Sequence, residues 1–387
     1  MAVAEVEPYL LSGGSEDPAA WASTVLLVKV VTKDGRVGWG ETLTSIRASS
    51  VVAMVRTLAK AMRGRDVHNV EANRLFWYRL DFNYSVSIES AAALSAFDMA
   101  SWDIIGRELG APLYLLFGGL SRSRVRLYAN GWYGGCRDAG CFAERAREVV
   151  GRGYTALKFD PFRDSFDVLD GASLRRAVEA VAAVREAVGD GVDILIECHG
   201  RFNAESAVRA AEALRPYGIY FMEEPVHPED LEGLARFRSA ARVPVALGER
   251  VVNKGQLLQY IRYADYIQVD LGRFGGPTEA RKAAAIAEAF GVLTAFHNAN
   301  GPVLHAATLQ LDAAIPNFAV QESFYDFWPR WKRELIRDTL PVEGGHVEVP
   351  SRPGIGVDVD EKAVERYRAE GEVEPPREPS WAVRGTW

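Results

Sequence analysis

Asp193-Ile194-Leu195-Ile196-Glu197, Tyr220-Phe221-Met222-Glu223 and Val245-Ala246-Leu247-Gly248-Glu249 are three short apolar runs, each ending in a glutamate. The glutamates recur at equal intervals, 223 − 197 = 26 and 249 − 223 = 26, with a helix-like segment filling each gap. That is the rhythm of successive β-α units, which in a parallel barrel bring three carboxylates to one rim. Three hard oxygen ligands facing one point predict a magnesium site that keeps positions open for substrate. A lone strand-end carboxylate is more often a salt bridge or cap; three at one spacing are harder to dismiss.

Outward from this stretch the alternation continues. Candidate strands centre near Leu127, Ala156, Leu195, Phe221, Ala246, Ile267, Thr294 and Val320, with amphipathic segments such as Leu174 to Val188 and Ala204 to Leu214 between them. Eight strands alternating with helices predict an α/β fold, a TIM-type barrel modified to (β/α)7β, over residues 123–328. A doubly wound open sheet is the competing arrangement. Residues 1–122 read as strands followed by helices: a hairpin at Lys33-Asp34-Gly35, helices over 48–63 and 69–79, and a longer one from Ile88 to Glu108 that stops at Gly110-Ala111-Pro112. This predicts an α+β capping domain. Residues 329–387, rich in Pro and Gly, are too few for a domain and are expected to pack back on the cap. No internal repeat or low-complexity segment stands out.

The bulk of the chain excludes several function classes. It has 387 residues, 48% hydrophobic and 25% charged, ordinary for a globular protein with a sizeable core. A net charge of −7 gives no basic face for nucleic acid. No apolar run is long enough to span a bilayer, and the start lacks the features of a signal peptide. Cys136, Cys141 and Cys198 cannot all pair and form no CxxC motif, so a reducing, cytoplasmic setting is expected. The sequon Asn83-Tyr84-Ser85 is then a chance match.

Two of the six histidines fall at predicted strand ends on the acid rim. His297 follows Leu293-Thr294-Ala295-Phe296, and the preceding strand ends at Asp270; an aspartate and a histidine on adjacent strands can hydrogen-bond, which fixes the tautomer and raises basicity. His199 lies two residues beyond Glu197, so a continuing pleat would put both on one side, with His199 as a general acid. His68, His227, His305 and His346 have no such setting. Lys158 and Asp160 end the second strand, where they could hold a substrate carboxylate, tune the metal site or form an ordinary salt bridge. Glu322 ends the eighth strand and could also serve a substrate carboxylate. Zinc is disfavoured because His199 is the only nitrogen donor close to the acids. Gly38-Trp39-Gly40 lies in a hairpin rather than before a helix and is a weak dinucleotide signal.

The order Lys158, Glu197-Cys198-His199, Glu223-Glu224-Pro225, Gly248-Glu249-Arg250, Asp270 and His297 resembles the mandelate racemase branch of the enolase superfamily nearly end to end. Lys158-Phe159-Asp160-Pro161-Phe162, Cys198-His199-Gly200-Arg201-Phe202, Phe324-Tyr325-Asp326 and Pro341-Val342-Glu343-Gly344-Gly345-His346 are most similar to the acid-sugar dehydratases, the gluconate type that also accepts galactonate. The resemblance implies Mg²⁺ on Glu197, Glu223 and Glu249, with His297 and Asp270 abstracting the C2 proton and His199 protonating the departing 3-hydroxyl. The product would be a 2-keto-3-deoxy acid formed through a stabilised enediolate. It further implies a homo-oligomer between dimer and octamer, and specificity set by cap loops over the barrel mouth, here Gly13 to Trp21 and Thr44 to Ser49, including Arg47. Two positions depart from the family. Many relatives carry Asp where this chain has Glu197. The racemases have Lys-x-Lys where this chain has Lys158 and Asp160, which favours elimination over racemisation or epimerisation of a 2-hydroxy acid, the alternative activity.

Overall fold

The computed structural model describes residues 1–13, 24–44, 47–80 and 87–369. The sequon and most of the two predicted cap loops lie outside these residues; Arg47 lies within them, paired with Glu89 at 2.7 Å.

The chain begins with an antiparallel sheet of β1 (Val3–Ser12), β2 (Thr24–Thr32) and β3 (Val37–Thr42), in that order. Asp34-Gly35 makes the predicted turn, with Gly35 at φ 82°. Helices α1 (Ala48–Met62), α2 (Val70–Leu80) and α3 (Ile88–Leu109) follow. The Ser87 side chain caps α3 by accepting from Ser90 N, and Gly110 ends it in the left-handed conformation at φ 63°. α3 is buried along most of its length because it lies against β3. Gly38 and Gly40 allow this: a Cβ on either would collide with a carbonyl of α3, at Ala100 or Ala96. Gly38-Trp39-Gly40 is therefore a packing motif, not a phosphate loop. One helical turn, α4 (Leu113–Leu116), ends this part.

Strands and helices then alternate. β4 (Arg124–Ala129), α5 (Ala139–Gly151), β5 (Ala156–Phe159), α6 (Gly171–Val188), β6 (Asp193–Glu197), α7 (Ala204–Leu214), β7 (Ile219–Glu223) and α8 (Leu231–Ala240) make the first half. β8 (Val245–Leu247), α9 (Lys254–Tyr260), β9 (Tyr266–Ile267), α10 (Gly276–Ala289), β10 (Leu293–Thr294), α11 (Pro302–Ala314) and β11 (Gln321–Ser323) make the second. The eight strands are parallel and ordered β10-β9-β8-β7-β6-β5-β4-β11. A parallel bridge between Thr294 and Phe318 brings the two ends of the sheet together. The arrangement is consistent with a TIM-like barrel beside a separate capping sheet. Inside it, Tyr128, Ala156, Leu195, Phe221, Ala246, Ala295 and Val320 pack as one apolar plug. Strand residues two apart share a face, so Lys158, Glu197 and Glu223 lie directly above Ala156, Leu195 and Phe221.

The segment after β11 touches both parts. β12 (His346–Glu348) pairs antiparallel with the start of β4, whose backbone groups extend beyond the parallel ladder. Farther on, Asp358 pairs with Arg107 of α3, and Arg368 bridges to Leu11 of β1. Cys136 and Cys141 form a disulfide at the start of α5, a pairing the sequence reading did not anticipate, while Cys198 is free and buried. No helix among the described residues is long and apolar enough to cross a membrane.

Candidate active site

Glu197 and Glu223 are the last residues of β6 and β7, and Glu249 follows β8 by two residues. All three are buried, and oxygens of the three carboxylates lie within 4.8 Å of one another. Burying like charges together is costly without a countercharge. Burial, then Glu197, pushes the Glu223 carboxyl far above the usual carboxylate range. Glu223 Oε1 has no hydrogen-bond partner although it is buried. An oxygen-only donor set with an orphaned buried oxygen fits a hard divalent cation such as Mg²⁺.

One countercharge is in place. Lys158 Nζ lies 3.0 Å from Glu197 Oε2 and 2.9 Å from Glu322 Oε1, and it also pairs with Glu223. Burial works against its charge, but Glu223 and Glu322 hold its pKa well above the usual lysine value. Glu322 is fixed in turn by Asn130 Nδ2 at 2.8 Å and Asn298 N at 2.7 Å. Gln268 donates to Glu223 Oε2 at 2.7 Å. Lys158 and Glu322 are thus brought to the acids, as expected for rim residues.

Two histidines flank the acids, each backed by an aspartate. His297 Nδ1 is 2.8 Å from Asp270 Oδ2, and its Nε2 is 3.3 Å from Glu249. Asp270 is wholly buried and also accepts from Gly272 N, Arg273 Nε and Asn300 Nδ2. His199 Nδ1 is 2.8 Å from Asp160 Oδ2. Asp160 also receives Arg201 Nη2 on both oxygens, at 2.8 and 2.7 Å, and Phe162 N at 2.9 Å. Burial opposes charge on both rings, yet the neighbouring carboxylates, first Glu197 for His199 and Glu249 for His297, raise both. Both aspartates lie below the usual range: burial raises them, but the arginine, the histidine and a backbone amide beside each together outweigh it.

The expected continuation of the pleat past Glu197 does not occur. β6 ends there and His199 takes φ 53°, in the left-handed region, with its N–H on Glu197 Oε1 at 2.7 Å. The ring reaches the site through this turn rather than by strand alternation. Asp160, expected to contact substrate, has both oxygens occupied by His199 and Arg201 and stands behind the histidine. Arg201, Gln268, Arg250 and Glu224 were not picked out as site residues. Arg250 Nε pairs with Glu224 Oε2 at 2.8 Å, and its Nη2 donates to His199 O at 3.0 Å. Burial, then Glu249, lifts the Glu224 carboxyl to about 7. The available signal was local: Arg250 adjoins an acid, and Gln268 sits two positions before Asp270.

Residues 141–363 match the enolase C-terminal domain-like family, and residues 6–118 match the N-terminal domain of mandelate racemase / muconate lactonizing enzymes. The chain belongs to the mandelate racemase / muconate lactonizing enzyme family. The curated relatives of this family member include a D-gluconate dehydratase of Thermoproteus tenax, 55% identical across 100% of this chain and 78% of the relative. A D-gluconate/D-galactonate dehydratase of Picrophilus torridus is 43% identical across 100% of this chain and 99% of the relative. Among solved structures, a mandelate racemase/muconate lactonizing enzyme-like protein of Roseovarius sp. TM1035 superposes with a TM-score of 0.90. It is 31% identical and covers 98% of this chain and 99% of its own. An enolase superfamily member of Salmonella Typhimurium gives a TM-score of 0.88 at 27% identity, over 94% of this chain and 98% of its own.

Proposed function

We propose that this family member is a hydro-lyase that dehydrates a six-carbon sugar acid of the gluconate or galactonate type to the 2-keto-3-deoxy acid. The observation that carries the reading is the pair of His–Asp dyads, one at each end of a buried row of three carboxylates. Dehydration needs a base at C2 and an acid at the 3-hydroxyl, and two separately oriented imidazoles supply one of each.

A Mg²⁺ ion on Glu197, Glu223 and Glu249 would neutralise charge now facing His297 and supply Lewis-acid stabilisation of the substrate carboxylate as C2 loses its proton. His297 takes that proton on Nε2, since Asp270 engages Nδ1 and turns Nε2 toward the acids. His199 protonates the departing 3-hydroxyl, which leaves as water. The resulting enol ketonises by protonation at C3, giving the 2-keto-3-deoxy acid. Asp160 orients His199 and does not touch substrate. Lys158 lines the floor at the carboxylate end by charge, and Glu322 holds the lysine in place there. On this reading the parallel sheet is a (β/α)7β barrel, the described residues of 1–122 cap it, 123–328 carry the chemistry, and the described part of the C-terminal segment, 329–369, packs back on the cap. A cytoplasmic homo-oligomer belongs to the same proposal.

The test is incubation with gluconate or galactonate and Mg²⁺, with detection of the keto-deoxy acid. Chelation should abolish product and added Mg²⁺ restore it; no product from any six-carbon aldonic acid would end the proposal. The second dyad also admits a racemase or epimerase of 2-hydroxy acids, since His199 could act as a second base. Solvent deuterium recovered in substrate of both configurations, without keto acid, would favour that reading.

A further inference from the structure

Adjacent residues of the cap strand β3 reach different loops of the parallel sheet. Glu41 is wholly buried, and its Oε2 accepts Val303 N at 3.0 Å and Leu304 N at 2.9 Å, the first amides of α11. That helix starts five residues after His297, and at Gly301 an added Cβ would press on Glu41 Oε1 at 2.6 Å. Thr42, also wholly buried, donates its hydroxyl to Gly272 O at 2.5 Å. Gly272 N in turn donates to Asp270 Oδ1 at 2.7 Å. Asn300, between His297 and α11, contacts Asp270 Oδ2 at 3.3 Å, and its carbonyl accepts from Lys332.

We propose that Glu41 and Thr42 are positioning residues for the His297–Asp270 pair, one fixing the loop after the histidine and the other the loop after the aspartate. The cap thereby sets the geometry of the base. The physical need is clear from the strands: β9 and β10 are two residues long and end well before Asp270 and His297. The pair stands on irregular backbone, which strand pairing does not hold. Carboxylate acceptance at a helix N-terminus and a buried hydroxyl-to-carbonyl bond replace it. A displaced base costs rate more than affinity, because the ground-state substrate is held elsewhere in the site.

This inference rests on His297 being the base. Glu41→Ala should lower kcat about 10- to 100-fold with little change in KM, the range seen when groups that orient a site residue are removed. Glu41→Gln, which keeps an oxygen acceptor for α11, should recover most of the loss. Thr42→Val should fall in the same direction and Thr42→Ser should not. A readout independent of turnover is the downfield proton resonance of His297 Nδ1, assigned by its loss in His297→Asn. It should shift in Glu41→Ala and Thr42→Val and stay in place in Glu41→Gln and Thr42→Ser. Should Glu41→Ala not fold, the Thr42 pair decides alone. An unmoved resonance with unchanged kcat in the folded variants overturns the inference. If His297→Asn still exchanges the C2 proton, the assignment of the base fails instead.

Discussion

The two His–Asp pairs are built alike and housed differently. The His297 side chain is 10% exposed, and its aspartate is tied to backbone, arginine and asparagine on loops gripped by the cap. The His199 side chain is 31% exposed, turns in through a left-handed residue, and its aspartate is held by one arginine and the Phe162 amide. A base that removes a weakly acidic proton gains from a dry, rigid site, whereas an acid that releases water gains from an open one. The difference supports the proposed division of labour, with His297 as the base and His199 as the acid.

The strongest way to break this comparison is His297→Asn. It should remove C2 hydrogen exchange and dehydration together, by about 10⁴-fold, the upper range for general base catalysis; deuterium incorporation into recovered gluconate measures it. Next is Arg201→Met. It leaves Asp160 buried without its cation, and the folded state should lose about 3–5 kcal/mol by denaturant titration. Adding Asp160→Asn should return part of that loss. His199→Asn should cut keto acid formation about 10²-fold while C2 exchange continues, separating acid from base in one assay. Equal loss of both would show that the dyads do not divide the work.

The smallest effect concerns His305, which sits behind the His297 loop with its Nδ1 3.2 Å from Asn298 Nδ2. Burial holds its pKa down to about 4. As pH falls below the ordinary histidine value, the unfolded chain takes up a proton that the folded chain refuses, so stability is lost from about pH 6.5 down to about pH 4. At pH 5 this amounts to about 2 kcal/mol. Thermal melts at pH 7 and 5 should separate less in His305→Gln than in the unaltered protein.

Much of the fold was legible because its period is simple. Residues alternate on a strand and helices fill the gaps, so equal spacing of Glu197, Glu223 and Glu249 carried the rim with it. The helices of the cap emerged within a residue or two of their predicted ends, since Ser87 and Gly110 mark them by local chemistry. The eighth strand was harder. Its apolar centre was placed at Val320, but the paired residues are the polar Gln321–Ser323, of which Glu322 reaches the site and pairs with Lys158.

By itself the sequence determined the order of units and the three carboxylates on one rim, because short-range periodicity and residue type settle those; His199 reaches them by a left-handed turn that no strand period foretells. Asp270 behind His297 was legible too, as a pair on adjacent strand ends; only the tertiary structure decided what stands behind His199 and what holds the loop after His297. Asp160 lies 39 residues from its partner and shares its oxygens with Arg201, and Glu41 lies 262 residues from the helix it caps. Such pairings depend on which loops the packed sheet and cap bring together beyond the last strand residue. No local period reaches that far.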